Sequence, residues 1–130
     1  MNTSDTCRAE AIHHEPAQRF NTFRPITCPI SDVIQAHEKA NGHWFSPGAA
    51  RFFSSRWASV GYLGRCGFVY FVDSTKYDAS TPRLYTIRIW DPERPREIET
   101  VGEFQQYASS AAANRAAAQM AEWSRSQPED

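Results

Sequence analysis

Side chains alternate along residues 83–90, with Tyr85, Ile87 and Ile89 on one side and Thr86, Arg88 and Trp90 on the other. A period of two predicts a strand, because successive side chains leave opposite faces of a pleated backbone. Asp91-Pro92 through Pro95 then predict a turn, since proline fixes φ and cannot donate to a ladder. Residues 96–101 return as the partner strand, with Glu97 and Glu99 opposite in sense to Ile98. Residues 68–72 form a short, wholly aromatic and β-branched run, the pattern of a strand buried on both faces. Residues 57–63 lean to β and stop at Gly64, where Gly64-Arg65-Cys66-Gly67 predicts a turn. The polar stretch 73–82 reads as a long hairpin loop.

Three segments carry helical signals instead. Ser31 is a good N-cap for residues 32–40, and Gly42 suits a left-handed stop; the apolar stripe is weak, so a surface helix is expected. Ser46-Pro47 is an N-cap and first-turn pair that sets Phe52 and Phe53 against a sheet. Ser109 or Ser110 caps a helix running to about Arg125, with eight alanines between Ala108 and Ala121 and Met120 and Trp123 as its bulky anchors. The expected fold is α+β: a small antiparallel sheet of about four strands against a C-terminal alanine-rich helix, with short N-terminal helices. Residues 1–30, rich in polar residues and proline, read as an irregular or partly disordered arm, ordered near Phe20 and Phe23 by docking on the core. Residues 31–126 read as one domain and 127–130 as a disordered tail.

Composition narrows the class without naming a chemistry. Of 130 residues, 41% are hydrophobic and 22% charged, as in an ordinary globular chain. A domain near this size buries roughly 70% of its unfolded surface. No apolar run approaches the roughly 18 residues that a spanning helix needs, so a cytoplasmic protein is expected. Cys7, Cys28 and Cys66, odd in number and not closely spaced, read as reduced thiols. The net charge of −1 hides an asymmetry, with six basic and two acidic residues in 43–90 but four basic and eight acidic in 91–130.

That basic middle also holds twelve of the seventeen aromatic residues, between Trp44 and Trp90. Interleaved arginine and aromatic side chains stack bases, and the same residue types make protein-interface hot spots. Packing accounts for most of them, Phe45, Phe52, Phe68, Tyr70 and Tyr85 above all, whereas Trp90 on the Arg88 side is expected at the surface. Arg88 is expected to pair with Glu97 or Glu99 across the hairpin. The partner-binding candidates are Arg51, Arg56, Arg65, Arg88 and Trp90. The four histidines have no zinc-like spacing, and His43 is expected to bond within the turn before Trp44. Ser55, Cys66 and Asp73 can be assembled into a nucleophilic set on paper, but nothing in their context selects them. With no nucleophile elbow, phosphate loop or dinucleotide fingerprint, the reading is a non-enzymatic protein with no cofactor and no metal.

Four segments carry a resemblance: His43-Trp44-Phe45-Ser46-Pro47, Ala50-Arg51-Phe52-Phe53-Ser54-Ser55-Arg56, Tyr85-Thr86-Ile87-Arg88, and Gly102-Glu103-Phe104 before the alanine-rich stretch. Together they resemble a group of small phage and mobile-element proteins, from about His43 to Ala121. The resemblance implies a protein that acts by binding in the bacterial host's cytoplasm, such as an anti-CRISPR inhibitor of a host interference complex. A nucleic-acid-binding accessory protein with an arginine and aromatic surface is the alternative.

Overall fold

The structure, a computed structural model, describes residues 25–127. One antiparallel sheet contains β1 (Thr27–Pro29), β2 (Arg56–Trp57), β3 (Val60–Leu63), β4 (Val69–Thr75), β5 (Leu84–Trp90) and β6 (Ile98–Val101). The strand order is β1-β3-β4-β5-β6, with β2 also paired to β4. Helix α1 (Ile30–Lys39) packs on one face, α2 (Pro47–Phe52) stands over the same face, and α3 (Ser110–Ser126) covers the other. The α+β class is therefore as the periodicity predicts, with six strands rather than about four. The proposed docking of Phe20 and Phe23 and the tail from residue 128 lie outside the described residues.

β4 is buried along all seven residues because it has a helical layer on each side. Its Tyr70 and Val72 join Ile87, Ile89 and Val101 beneath α3. There Ala113, Ala116, Ala117, Met120 and Ala121 form one helical stripe whose small side chains let α3 lie close. Ser109 caps this helix, its hydroxyl accepting from the Ala112 N–H at 3.1 Å. The opposite face carries Val69 and Phe71, packed with Ile30, Val33 and Phe45.

Several expectations are corrected. Residues 57–63 are not one strand: five steps separate Trp57 from Tyr62 while three separate their partners Asp73 and Tyr70. The extra residues bulge at Ala58 and Ser59, a device that bends a strand and frees a carbonyl. The Ser59 carbonyl accepts from the Ile30 N–H at 2.8 Å, which fixes the start of α1. Residues 27–29, assigned to the irregular arm, form edge strand β1 against β3. Pro29 at its end is tolerated because an edge strand can lack one donor.

α1 is a core helix, with Ile30, Val33 and His37 buried. Its N-cap is Pro29 with no side-chain cap, and Ser31 lies within the first turn. Asn41, not Gly42, takes the left-handed position at φ 70. The Gly42 and Asn41 N–H groups donate to the His37 and Glu38 carbonyls at 2.8 and 2.9 Å, the paired closure of a Schellman end. Gly42 is required for another reason: a Cβ there would meet the His37 ring at 2.2 Å. Cys28 is free, and burial aided by the Asp32 charge pushes its thiol up. Cys66 is disulfide-bonded, which corrects the expectation of three reduced thiols.

Candidate functional site

The β4–β5–β6 register places Phe71, Asp73, Thr86, Arg88, Ile98 and Thr100 on the α1/α2 face of the sheet. Beyond the reach of α1, no described residue closes this face by packing. Between it and α2 lies an open cavity of about 390 Å³. Trp44, Phe53, Trp57 and Phe104 give it aromatic walls, and Ala49 and Ala50 of α2 form a low rim. Ser55, Asp73, Thr75, Arg88 and Thr100 supply the polar lining. The volume lies within the range of small-ligand pockets, and an apolar wall with a few convergent polar groups is their usual chemistry.

Each wall is held from behind. His37, buried in α1, donates from Nδ1 to the Pro95 carbonyl at 2.8 Å and accepts at Nε2 from the Trp44 N–H at 3.0 Å. One neutral imidazole thus joins α1, the Trp44 segment and the β5–β6 turn. Ser46 caps α2, accepting from the Ala49 N–H at 3.3 Å, with Pro47 in the first turn as expected. The chain leaves α2 through Ser54 at φ 50, a left-handed position that costs a serine about 1–2 kcal/mol. Arg83 holds this turn, donating to the Ser54 carbonyl at 2.7 Å and to Ser74 Oγ at 3.0 Å. Across the cavity, Gln105 donates from its backbone to Thr86 Oγ1 at 2.7 Å and from Nε2 to Thr75 Oγ1 at 2.8 Å. That loop presents Phe104, which is 52% exposed.

The polar centre is an ion pair. Arg88 Nε donates to Asp73 Oδ1 at 2.9 Å and Nη2 to Oδ2 at 3.4 Å, while Nη1 donates to Thr100 Oγ1. The side chains are only 13% and 2% exposed. The guanidinium also lies 5.4 Å from the Trp44 ring centre and 5.7 Å from that of Phe104. Its plane is therefore engaged by rings and one edge by a carboxylate. A guanidinium has five N–H donors. Three are used in these bonds, and two have no partner among the described residues. Burial pushes the Asp73 carboxyl above its ordinary range, and the hydrogen bonds and charge of Arg88 pull it back only in part. Perturbed titration of a carboxyl inside a cleft is a recurrent mark of functional sites.

The five candidate residues do not form one surface. Arg88 is the centre of the cavity, paired with Asp73 rather than with Glu97 or Glu99. The register explains the correction: Thr100 lies opposite Arg88, and Glu99 lies opposite Ile89 on the α3 face. Arg51 is exposed next to the lining residue Ala50, whereas Arg56, also exposed, lies opposite Ser74 on the α3 side of the sheet. Trp90 is half-buried rather than exposed, since its Nε1–H donates to the Pro95 carbonyl at 3.2 Å and it packs against the cluster of Val69 and Phe71. Arg65 belongs to a turn (Arg65–Gly67) whose first N–H donates to Ser124 of α3, away from the cavity. Phe45, Phe68 and Tyr70 are core and Tyr85 packs at its margin, but Phe52, the last residue of the short α2, is 76% exposed. His43 is exposed, and its carbonyl accepts from the Ser46 N–H at 3.1 Å.

Ser55 and Asp73 do meet in the cavity, whereas Cys66 does not line it. The aromatic walls were missed as a group because their residues lie in separate segments that the sheet brings together. A signal was nevertheless present: each of the four segments carrying the resemblance contributes lining residues, among them Trp44, Phe53, Arg88 and Phe104.

The molecule is thus a two-sided α+β protein with one sheet face packed and the other hollowed into an aromatic, ion-paired cavity. The chain belongs to a family of unknown function, DUF7447, whose family model matches residues 29–118. That span includes every residue lining the cavity. No curated protein and no solved structure matches the chain.

Proposed function

We propose that the protein acts by binding a macromolecular partner, a projecting group of which enters the Trp44–Phe104 cavity. The observation that carries this reading is the Arg88 guanidinium, set against two rings in an open pocket, with two of its five N–H donors unpartnered among the described residues. A rigid, desolvated donor edge beside aromatic walls suits a planar group with hydrogen-bond acceptors. Its fixed plane also reduces the ordering cost of association.

The mobile-element resemblance directs the choice of partner to a host CRISPR interference complex, with the bacterial cytoplasm as the place of action. Co-elution of the purified chain with a panel of purified interference complexes, alongside DNA-targeting assays, tests this. Ala49 is exposed on the rim, so Ala49→Trp fills the mouth without entering the core. Co-elution and inhibition that Ala49→Trp abolishes, and that Arg115→Ala on the opposite helix leaves intact, would support the proposal. No co-elution and no loss of targeting with any complex would overturn the choice of partner. Binding unaffected by Ala49→Trp would overturn the choice of site.

A further inference from the structure

Resting on the cavity as the recognition site, we infer that its occupant is an unpaired nucleobase of a single-stranded nucleic acid. Three features beyond the pocket lead there. First, the aromatic wall continues outward. The Phe53 ring, in the cavity, meets Phe52 at 4.4 Å between centres and Tyr77 at 5.7 Å. Phe52 and Tyr77 are 76% and 70% exposed, a large uncovered aromatic area for so small a protein. Rings running from a pocket into solvent give neighbouring bases successive stacking surfaces, whereas a lone small ligand would use only the pocket.

Second, cations border this track. Arg51 is exposed beside the lining residue Ala50, the Lys76 N–H donates to the Phe53 carbonyl at 2.8 Å, and Arg83 is bonded to Ser54, whereas Arg56, opposite Ser74, lies on the α3 side. Residues 43–72 contain no carboxylate, and the carboxylate of Asp73 is engaged by Arg88. Glu103, beside Phe104, and Asp78, beside Tyr77, are the acidic exceptions along the track. Positive charge beside an aromatic strip matches a chain that carries one phosphate per base. Third, the polar lining has both signs of hydrogen bonding. Arg88 offers N–H donors, Asp73 offers acceptor lone pairs, and the Ser55 hydroxyl does either. A base edge presents the same mixture, which a simple anion site would not require.

The test is fluorescence anisotropy with the full chain and end-labelled, mixed-sequence single strands of about 12 nucleotides, DNA and RNA, at low salt. An abasic strand of the same length serves as the matched polyanion. The expected result is binding to the base-bearing strands that quenches Trp44 and Trp57 fluorescence and weakens steeply with salt. The abasic strand should bind about tenfold more weakly or worse, and Phe104→Ala should lose about tenfold with an unchanged salt slope. Equal affinity for abasic and base-bearing strands would overturn the inference, as would no binding to any strand. Should an interference complex still co-elute in an Ala49→Trp-sensitive way after nuclease treatment, the occupant is a protein group. In that case the base inference fails while the cavity remains the binding site.

Discussion

Replacing Arg88 with methionine removes the charge at the centre of the cavity but leaves an unbranched apolar stem between Trp44 and Phe104. Asp73, 2% exposed, then loses its only ion-pair partner among the described residues. Removing one member of a buried pair costs about 3–5 kcal/mol, because the other charge is left desolvated. A domain of this size has a total stability of about 5–15 kcal/mol, so the loss is a large fraction of it. Its pH dependence follows from the carboxyl. Burial already holds Asp73 above its ordinary value of 3.8, and removing Arg88 raises it further. The folded state then keeps its proton at a pH where the unfolded chain has released it. The extra penalty is therefore absent at low pH, where Asp73 is protonated in both proteins, grows as pH rises from the wild type's folded value to the variant's higher one, and is complete above the latter. Urea unfolding followed by tryptophan fluorescence, at pH values at either end of that interval, measures it. The double variant Asp73→Asn/Arg88→Met should recover most of the loss, giving a coupling of about 2–3 kcal/mol in the cycle. A loss of the same size at both pH values would refute the reasoning, as would a double variant no better than Arg88→Met.

Two further outcomes concern the supports of the cavity. Gly42→Ala drives a methyl group into a His37 ring that is tethered at both nitrogens, so about 1–3 kcal/mol should be lost. A lower urea midpoint with an unchanged m-value checks it. Ser109→Ala removes the cap of α3 and should cost about 0.5–2 kcal/mol in the same assay. Because α3 lies on the other face of the sheet, oligonucleotide or complex binding by that variant should stay unchanged.

Local chemistry made the regular parts of this fold legible. The alternation in 83–90 and the capped alanine-rich helix appear where patterning placed them. So does the Ser46-Pro47 start of α2. The strand read at 68–72 runs on to Thr75, three residues into the polar stretch read as a loop, because Asp73 to Thr75 pair with Leu84 to Thr86. What patterning missed depends on partners remote in sequence. β1 is three residues long and recognisable only through its pairing with β3. The stripe of α1 is weak because His37, polar by type, is one of its buried positions. Likewise Arg88 looked like a surface residue pairing across a hairpin until the register put Asp73 on one side of it and Thr100 on the other. The cavity was the least legible feature, since each wall reads locally as an ordinary aromatic residue.

The lining comes from five stretches of chain: Trp44, the α2–β2 region, the end of β4, Arg88, and the segment from Thr100 to Phe104. No fragment holds more than part of it, so the unfolded chain has no site. Occupancy and folding are consequently linked by mass action, whatever the occupant proves to be. A ligand at a hundred times its dissociation constant adds about 2.7 kcal/mol to the stability of the native state. For a domain of this size that corresponds to a rise of roughly 10 °C or more in the melting temperature. The heat stability of the protein is therefore itself a reporter of what fills the cavity, and it can be read before any partner has been identified.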